Sequence, residues 1–465
     1  MSKDKLGLKS GGKMGIFSSV LSQINGRSAL RKIVVNTGWL FVDKFSSLVA
    51  GFLVGAWVAR YLGPAQYGMY NYALAFEALF VPIAGLGLAN IVVREIVRVP
   101  GEKNTILGTA FVLQFAASLV TFALIIGAAY MIRPDDALIR WLIAIVAGQL
   151  VFRAFSNTLD YWFQSQIQSK YAVWSRNIVL VLIALVKLTL ILIKAPLVAF
   201  AWATLGQVVL YTIGIAVFYR VSGQAVSAWR SSMRYARRLL RDSWPLILSG
   251  LAIVVYMKIG QLMLGNMMGD EALGIYSAAA RLSELWYFIP MAVATSVFPT
   301  IVRSRENQTE QVYRKRLQAF YDVMAAVAYV VVIPCALLAS PLVTLVFGPD
   351  YVEAGPILAV HIWSFIFVSL GVARSQWLIA ENMTRFSMFA TILGAIVSIG
   401  LNYLLIPRYA GLGAAWATLI SYAVSGYFSS ILSVRLWPVL AQLSFSLLTP
   451  FRLPSVLTQL REEVS

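Results

Sequence analysis

Residues 59–76, "ARYLGPAQYGMYNYALAF", place a small polar break, Gly63-Pro64-Ala65-Gln66, between two strongly apolar runs. The run before it extends over 37–59 and the run after it over 67–92. Each is long enough for a membrane-crossing helix, which needs roughly 20 mostly apolar residues. Glycine and proline stop one helix and begin another. The stretch therefore predicts two transmembrane helices joined by a tight turn at a membrane surface.

Composition extends that reading to the whole chain. Of its 465 residues 59% are hydrophobic and only 12% charged, far from the balance of a soluble domain. Twelve apolar windows can be placed, ending with 385–406 and 411–436. They are continuous, so an alternating-strand β-barrel is excluded. The polar stretch before Trp39 is too long and too charged for a cleaved signal peptide.

A net charge of +18 would suggest nucleic acid in a soluble protein. Here the basic residues mark one membrane side. They gather in the N-terminal tail, around Arg94, Arg98 and Lys103, and in the connector with Arg234, Arg237, Arg238 and Arg241, whereas the opposite loops hold only Arg60, Arg133, Arg140, Lys194 and Arg408. The asymmetry predicts both termini in the cytoplasm, with the clusters facing anionic lipid headgroups and no nucleic-acid partner. The expected organisation is a basic tail with an interfacial helix over 1–36, six spans in 37–220, a basic linker lying on the membrane over 221–243, six spans in 244–438 and a cytoplasmic tail over 439–465.

Cys335 and His361 are single copies, so there is no intrachain disulfide and no Cys/His zinc site. Gly7 to Met14 imitates a phosphate-binding loop, but Met14 stands where the Mg²⁺-binding hydroxyl belongs and no strand precedes it. No cofactor and no enzymatic activity are expected. Short outer loops also argue against a membrane glycosyltransferase.

The opening stretch returns. An offset of 206 residues carries Gly63, Gly68, Tyr70 and Ala73 onto Gly269, Gly274, Tyr276 and Ala279, and "AWATL" at 201–205 recurs at 415–419. Two echoes in the same order indicate a duplicated six-helix unit. Six is even, so the copies run parallel, related by an axis along the membrane normal.

Ionisable groups inside spans are costly and need an explanation. Gln149, Arg153, Asn157 and Asp160 repeat at four, four and three and share one helical face; Ser277, Arg281 and Glu284 form a second stripe, and Lys258 with Gln261 a third. Stripes on several helices face a polar cavity or one another. Lys187, Arg374 and Asp322 lie toward span ends, where they can reach the interface.

The opening stretch, "PIAGLGLANIVVREI" (82–96), "MLGNMMGDEALGIYSAAARLSELWYFIP" (263–290) and "VFGPDY" (346–351) resemble the polysaccharide flippases of the multidrug/oligosaccharidyl-lipid/polysaccharide exporter superfamily. The resemblance covers about 37–437. It implies an all-α polytopic protein of about twelve helices, two parallel six-helix repeats forming a V around a cavity, and alternating access in a bacterial or archaeal cytoplasmic membrane. It also implies a polyprenyl-diphosphate-linked oligosaccharide as cargo, with membrane lipids as partners and polysaccharide polymerase and export proteins admitted as others.

A doubly charged diphosphate needs cations at mid-membrane. Arg153, Lys258 and Arg281 are the first choices, with Lys44 beside Asp43 as a further one. Gln149, Asn157, Gln261, Tyr276, Trp286 and Tyr287 could meet sugar; Glu284, Asp43, Glu77 and Asp160 could bind a coupling ion. A multidrug or lipid II exporter of the same superfamily, and a non-transporting assembly scaffold, are the alternatives.

Overall fold

The computed structural model describes the backbone of residues 12–452 and the side chains of 47–452 apart from Pro299, Thr300 and Asn307. Asp43 and Lys44, and the residues Ile16, Phe17, Val20, Leu21 and Ile24 on which the expected interfacial helix of the tail rests, therefore lie outside the described side chains.

Among the described residues the regular secondary structure is helical. The helices are α1 (Gly12–Gly85), α2 (Ala89–Arg98), α3 (Lys103–Ile132), α4 (Ala137–Ala147), α5 (Gln149–Ser165), α6 (Lys170–Leu192), α7 (Leu197–Val221), α8 (Met233–Met268), α9 (Asp270–Glu284), α10 (Phe288–Asn307), α11 (Glu310–Leu337), α12 (Ala339–Phe347), α13 (Ala354–His361), α14 (Ser364–Ala380), α15 (Thr384–Gly426) and α16 (Trp437–Leu447).

Ten described segments are long and apolar enough to cross a membrane. Two of them, Ser47–Arg98 and Thr384–Leu432, run to 52 and 49 residues. At 1.5 Å per residue each would be roughly 75 Å long, more than twice the hydrocarbon thickness. Within the helices that form most of them, α1 and α15, one residue each leaves the helical backbone, Gly63 (φ 68°, ψ 170°) and Ala410 (φ 46°, ψ −127°). The expected twelve differ from ten because these two segments were each read as a pair.

Gly63 is the corner that the opening stretch predicts. Its positive φ suits a residue without a Cβ, and Pro64 opens the next helical limb. Gly269 repeats the geometry (φ 91°, ψ 174°), with Asp270 and Glu271 supplying negative charge to the first turn of α9. The duplication reaches the side chains. Tyr70 Oη lies 2.5 Å from Thr204 Oγ1 in the first half, and Tyr276 Oη lies 3.1 Å from Thr418 Oγ1 in the second. Both pairs join the helix after the corner to the recurring "AWATL" segment.

Helices α1–α7 form one lobe and α8–α15 the other, meeting where α1 packs on α8 and α9. The basic connector is held by protein. Arg230 N–H donates to Asn104 O and Ser232 N–H to Thr109 Oγ1. Arg238 and Arg94 lie 3.3 and 3.4 Å from the fully buried Glu95, and Arg94 also meets Asp242 at 2.7 Å. From Met233 the chain continues as one helix past Ser243 and Pro245 into the second lobe. At the far end α16 packs on α11, where Ser446 Oγ–H and Gln318 Nε2–H donate to the buried Asp322 at 2.6 and 2.8 Å.

Candidate cargo cavity

Between α1, α6, α7 and α9 lies a cavity of about 360 Å³. Its charged walls are all cationic: Arg176 and Lys187 from α6, and Arg281 from α9. Among the described residues no carboxylate lines it. Arg281 crosses from the second lobe into the first because α1 leaves it room. A Cβ on Gly55 would fall on its guanidinium, its Nη2–H donates to Gly51 O at 2.5 Å, and Nη1 lies 3.5 Å from Tyr67 Oη. Among the described residues no carboxylate stands within 4.0 Å of it. A guanidinium so placed, partly enclosed and with no described carboxylate in contact, can meet an anion in the adjoining space.

Arg176 is held differently. Its Nη2 lies 3.7 Å from Asp160 and 3.1 Å from Tyr211 Oη, with the guanidinium 5.1 Å from the centre of the Tyr211 ring. Tyr211 Oη–H in turn donates to Asp160 at 2.6 Å. Three helices thus fix one arginine at the cavity wall, and Asp160 stands behind it.

The family model described as polysaccharide biosynthesis protein matches residues 33–305, more than half of the chain. The chain belongs to that family. The lipid II flippase model also matches, over 177–450. Among curated relatives of this family member, a probable flippase of Haloferax volcanii is 25% identical over 84% of the chain and 80% of its own length. A putative O-antigen transporter of Shigella flexneri is 22% identical over 82% and 93%. Among solved structures, a lipid II flippase in an inward closed conformation superposes with TM-score 0.72 at 14% identity, covering 90% of this chain and 91% of that one. An inward-facing multidrug transporter gives 0.68 at 14%, covering 91% and 99%. At such identity these two speak for the fold alone.

Of the cations chosen from sequence, the structure puts Arg281 in this cavity and pairs two others. Arg153 meets the buried Glu77 at 3.4 Å and donates to Gln149 at 3.1 Å. Lys258 Nζ sits 3.3 Å from Glu284. Glu284 thus pairs across to α8 and not with Arg281 on its own helix. Asp160 pairs with Arg176 and not with Arg153. Asn157 is half-buried beside its stripe, and Gln261 is buried in α8. Tyr276 is enclosed, bonded to Thr418 and edge-on to His361, while Tyr287 bonds Ser364 and stacks on Phe365. Trp286 is partly buried against the core.

Two cavity cations are not among the cargo residues expected from sequence: Arg176, and Lys187, which is expected at a span end. Their spacing carried a usable signal. Eleven residues are three helical turns, so the pair shares a face with Leu180, Ile183 and Ala184 of the same wall. Arg374, also placed near a span end, is buried and donates to Ser429 Oγ, Ser430 Oγ and Ser425 O at 2.8, 2.7 and 2.5 Å. It caps the end of α15 where the last carbonyls lack partners.

Proposed function

We propose that this protein is a flippase that carries polyprenyl-diphosphate-linked oligosaccharide across the cytoplasmic membrane for surface polysaccharide assembly, making and breaking no covalent bond. The observation that carries the reading is the wall on which Arg281, Arg176 and Lys187 are the charged groups among the described residues. A diphosphate can accept several charge-assisted hydrogen bonds, and a planar guanidinium provides them in pairs. Family membership and the names of the relatives support the same cargo class. The positive-inside asymmetry supports a cytoplasmic position for both termini and for the connector, and puts the Gly63 and Gly269 corners outside.

A lipid II exporter shares the diphosphate chemistry, and the match over 177–450 keeps it as the second reading. A multidrug exporter of organic cations fits poorly with three wall cations, and a scaffold would need none of them. For coupling we propose Glu284: its pair with Lys258 is about one-quarter exposed on each side, so water can reach the carboxylate when the pair opens.

The test is reconstitution in vesicles. A fluorescent polyprenyl-diphosphate oligosaccharide is loaded in both leaflets and the outer pool is quenched or cleaved over time. Protein-dependent loss of the inner pool is expected. Equal rates with and without the protein, for this cargo and for lipid II alike, would refute the assignment.

A further inference from the structure

The end of the bundle that carries the corners is where the two lobes touch backbone to backbone, and the contact is built by repeat-related residues. A Cβ added to Gly68 would fall on the carbonyl oxygen of Asp270, and one added to Gly274 on the carbonyl oxygen of Pro64. Gly68 and Gly274 are the same position in the two halves. Each helix therefore presses its glycine against the other half's corner, on opposite sides of the pseudo-axis.

Polar contacts follow the same exchange. Arg133, just beyond α3 in the first lobe, reaches across to Gly265 O at 2.6 Å, Asn266 Oδ1 at 2.8 Å and Asp270 Oδ1 at 3.2 Å. Its guanidinium also lies 4.8 Å from the centre of the Tyr72 ring, and Tyr72 Oη–H donates to the same Asn266 at 2.9 Å. In the other direction Arg60 donates to Leu345 O, and Tyr351 Oη–H donates to Ala59 O at 2.8 Å. Residue 60 stands in the first repeat where Asn266 stands in the second. Each lobe thus sends the loop after its third span onto the end of the other lobe's first.

We infer that Gly68, Gly274 and the Arg133–Asp270 contact form the gate at the corner end, and that the absence of side chains at the two glycines is what allows it to shut. The reason is steric. A methyl group at either position meets main-chain atoms, which cannot turn aside as a flexible side chain can, so the lobes must part. Arg133 then loses three acceptors that all belong to the opposite lobe. Closure is set by the interface itself, whatever cargo the cavity takes, so the inference holds or fails apart from the proposed function.

The experiment measures distances between spin labels in nanodiscs, in a Cys335→Ser background. Asp135→Cys with Asp350→Cys reports the corner end, and Gln168→Cys with Arg385→Cys reports the connector end; all four positions are exposed. Gly68→Ala should add a longer corner-end distance and shorten the other, with about a tenfold rise in the open-to-closed ratio, ~1.4 kcal/mol. Gly127→Ala, where a Cβ meets nothing within 4 Å, should leave both distances unchanged. Should Gly68→Ala not fold, Arg133→Ala decides, with the same direction expected. Unchanged distances in the folded variant, even with a lowered melting temperature, would reduce the glycines and Arg133 to packing and overturn the gate.

Discussion

Replacing Arg281 by alanine is the sharpest perturbation of the cavity. The guanidinium has five N–H groups; one is taken by Gly51 O and one lies near Tyr67 Oη, and the others have no acceptor among the described residues. If two of those meet the cargo's diphosphate, their loss removes two charge-assisted bonds at about 1.5–3 kcal/mol each. Arg176 and Lys187 still face the anion, so the lower end applies: about 3 kcal/mol, or roughly 150-fold in affinity. In the vesicle assay, at cargo well below saturation and matched protein, Arg281→Ala should flip cargo about a hundred times more slowly. Arg281→Lys keeps a point charge without the fork and should fall between the two. Raising cargo concentration should restore much of the alanine variant's rate, because binding has been lost and not the fold. A wild-type rate for Arg281→Ala would refute the diphosphate assignment, and a low rate with a collapsed melting curve would point to structure alone.

Arg153→Ala should lower thermal stability more than transport, since it strands the buried Glu77 carboxylate; unfolding in detergent followed by tryptophan fluorescence, beside the flipping rate, separates the two. Glu284→Gln should abolish the dependence of flipping on an imposed ion gradient while leaving downhill exchange; an unaltered gradient response would leave Glu284 as the partner of Lys258 only. Single cysteines in a Cys335→Ser background should be labelled by an impermeant reagent from outside at Gln66 and Glu271 and from inside at Ser232; outside labelling of Ser232 would reverse the orientation.

The corners were legible because a positive φ leaves a mark in composition: glycine at 63 and 269 and proline at 64. The duplication was legible because the same residues close the same Tyr–Thr contacts twice. What the cations do was less so. A stripe shows that Arg153 and Lys258 face inward, but whether a charge is free depends on a partner from another helix, here Glu77 and Glu284, and no spacing along one helix encodes that. The connector's arginines show the same limit. Four on one face suggested lipid, yet Glu95, 143 residues from Arg238 and buried in α2, had taken one of them. The kink at Ala410 was legible too, because Pro407 and Gly411 stand around it and separate the windows 385–406 and 411–436.

The wall arginine has no twin. Counting back 206 residues from Arg281 reaches Ala75, so the duplication that kept the corners, the facing glycines and the tyrosine contacts did not keep this charge on both sides. A two-fold frame with unlike charges offers a headgroup one resting pose where a true dimer of half-length chains would offer two. Divergence between the copies therefore has a handedness: under the proposed function, a lipid-linked sugar entering such a frame is presented to the same half. Selection on either copy alone could then retune which sugar is accepted without disturbing the surfaces on which the halves rock.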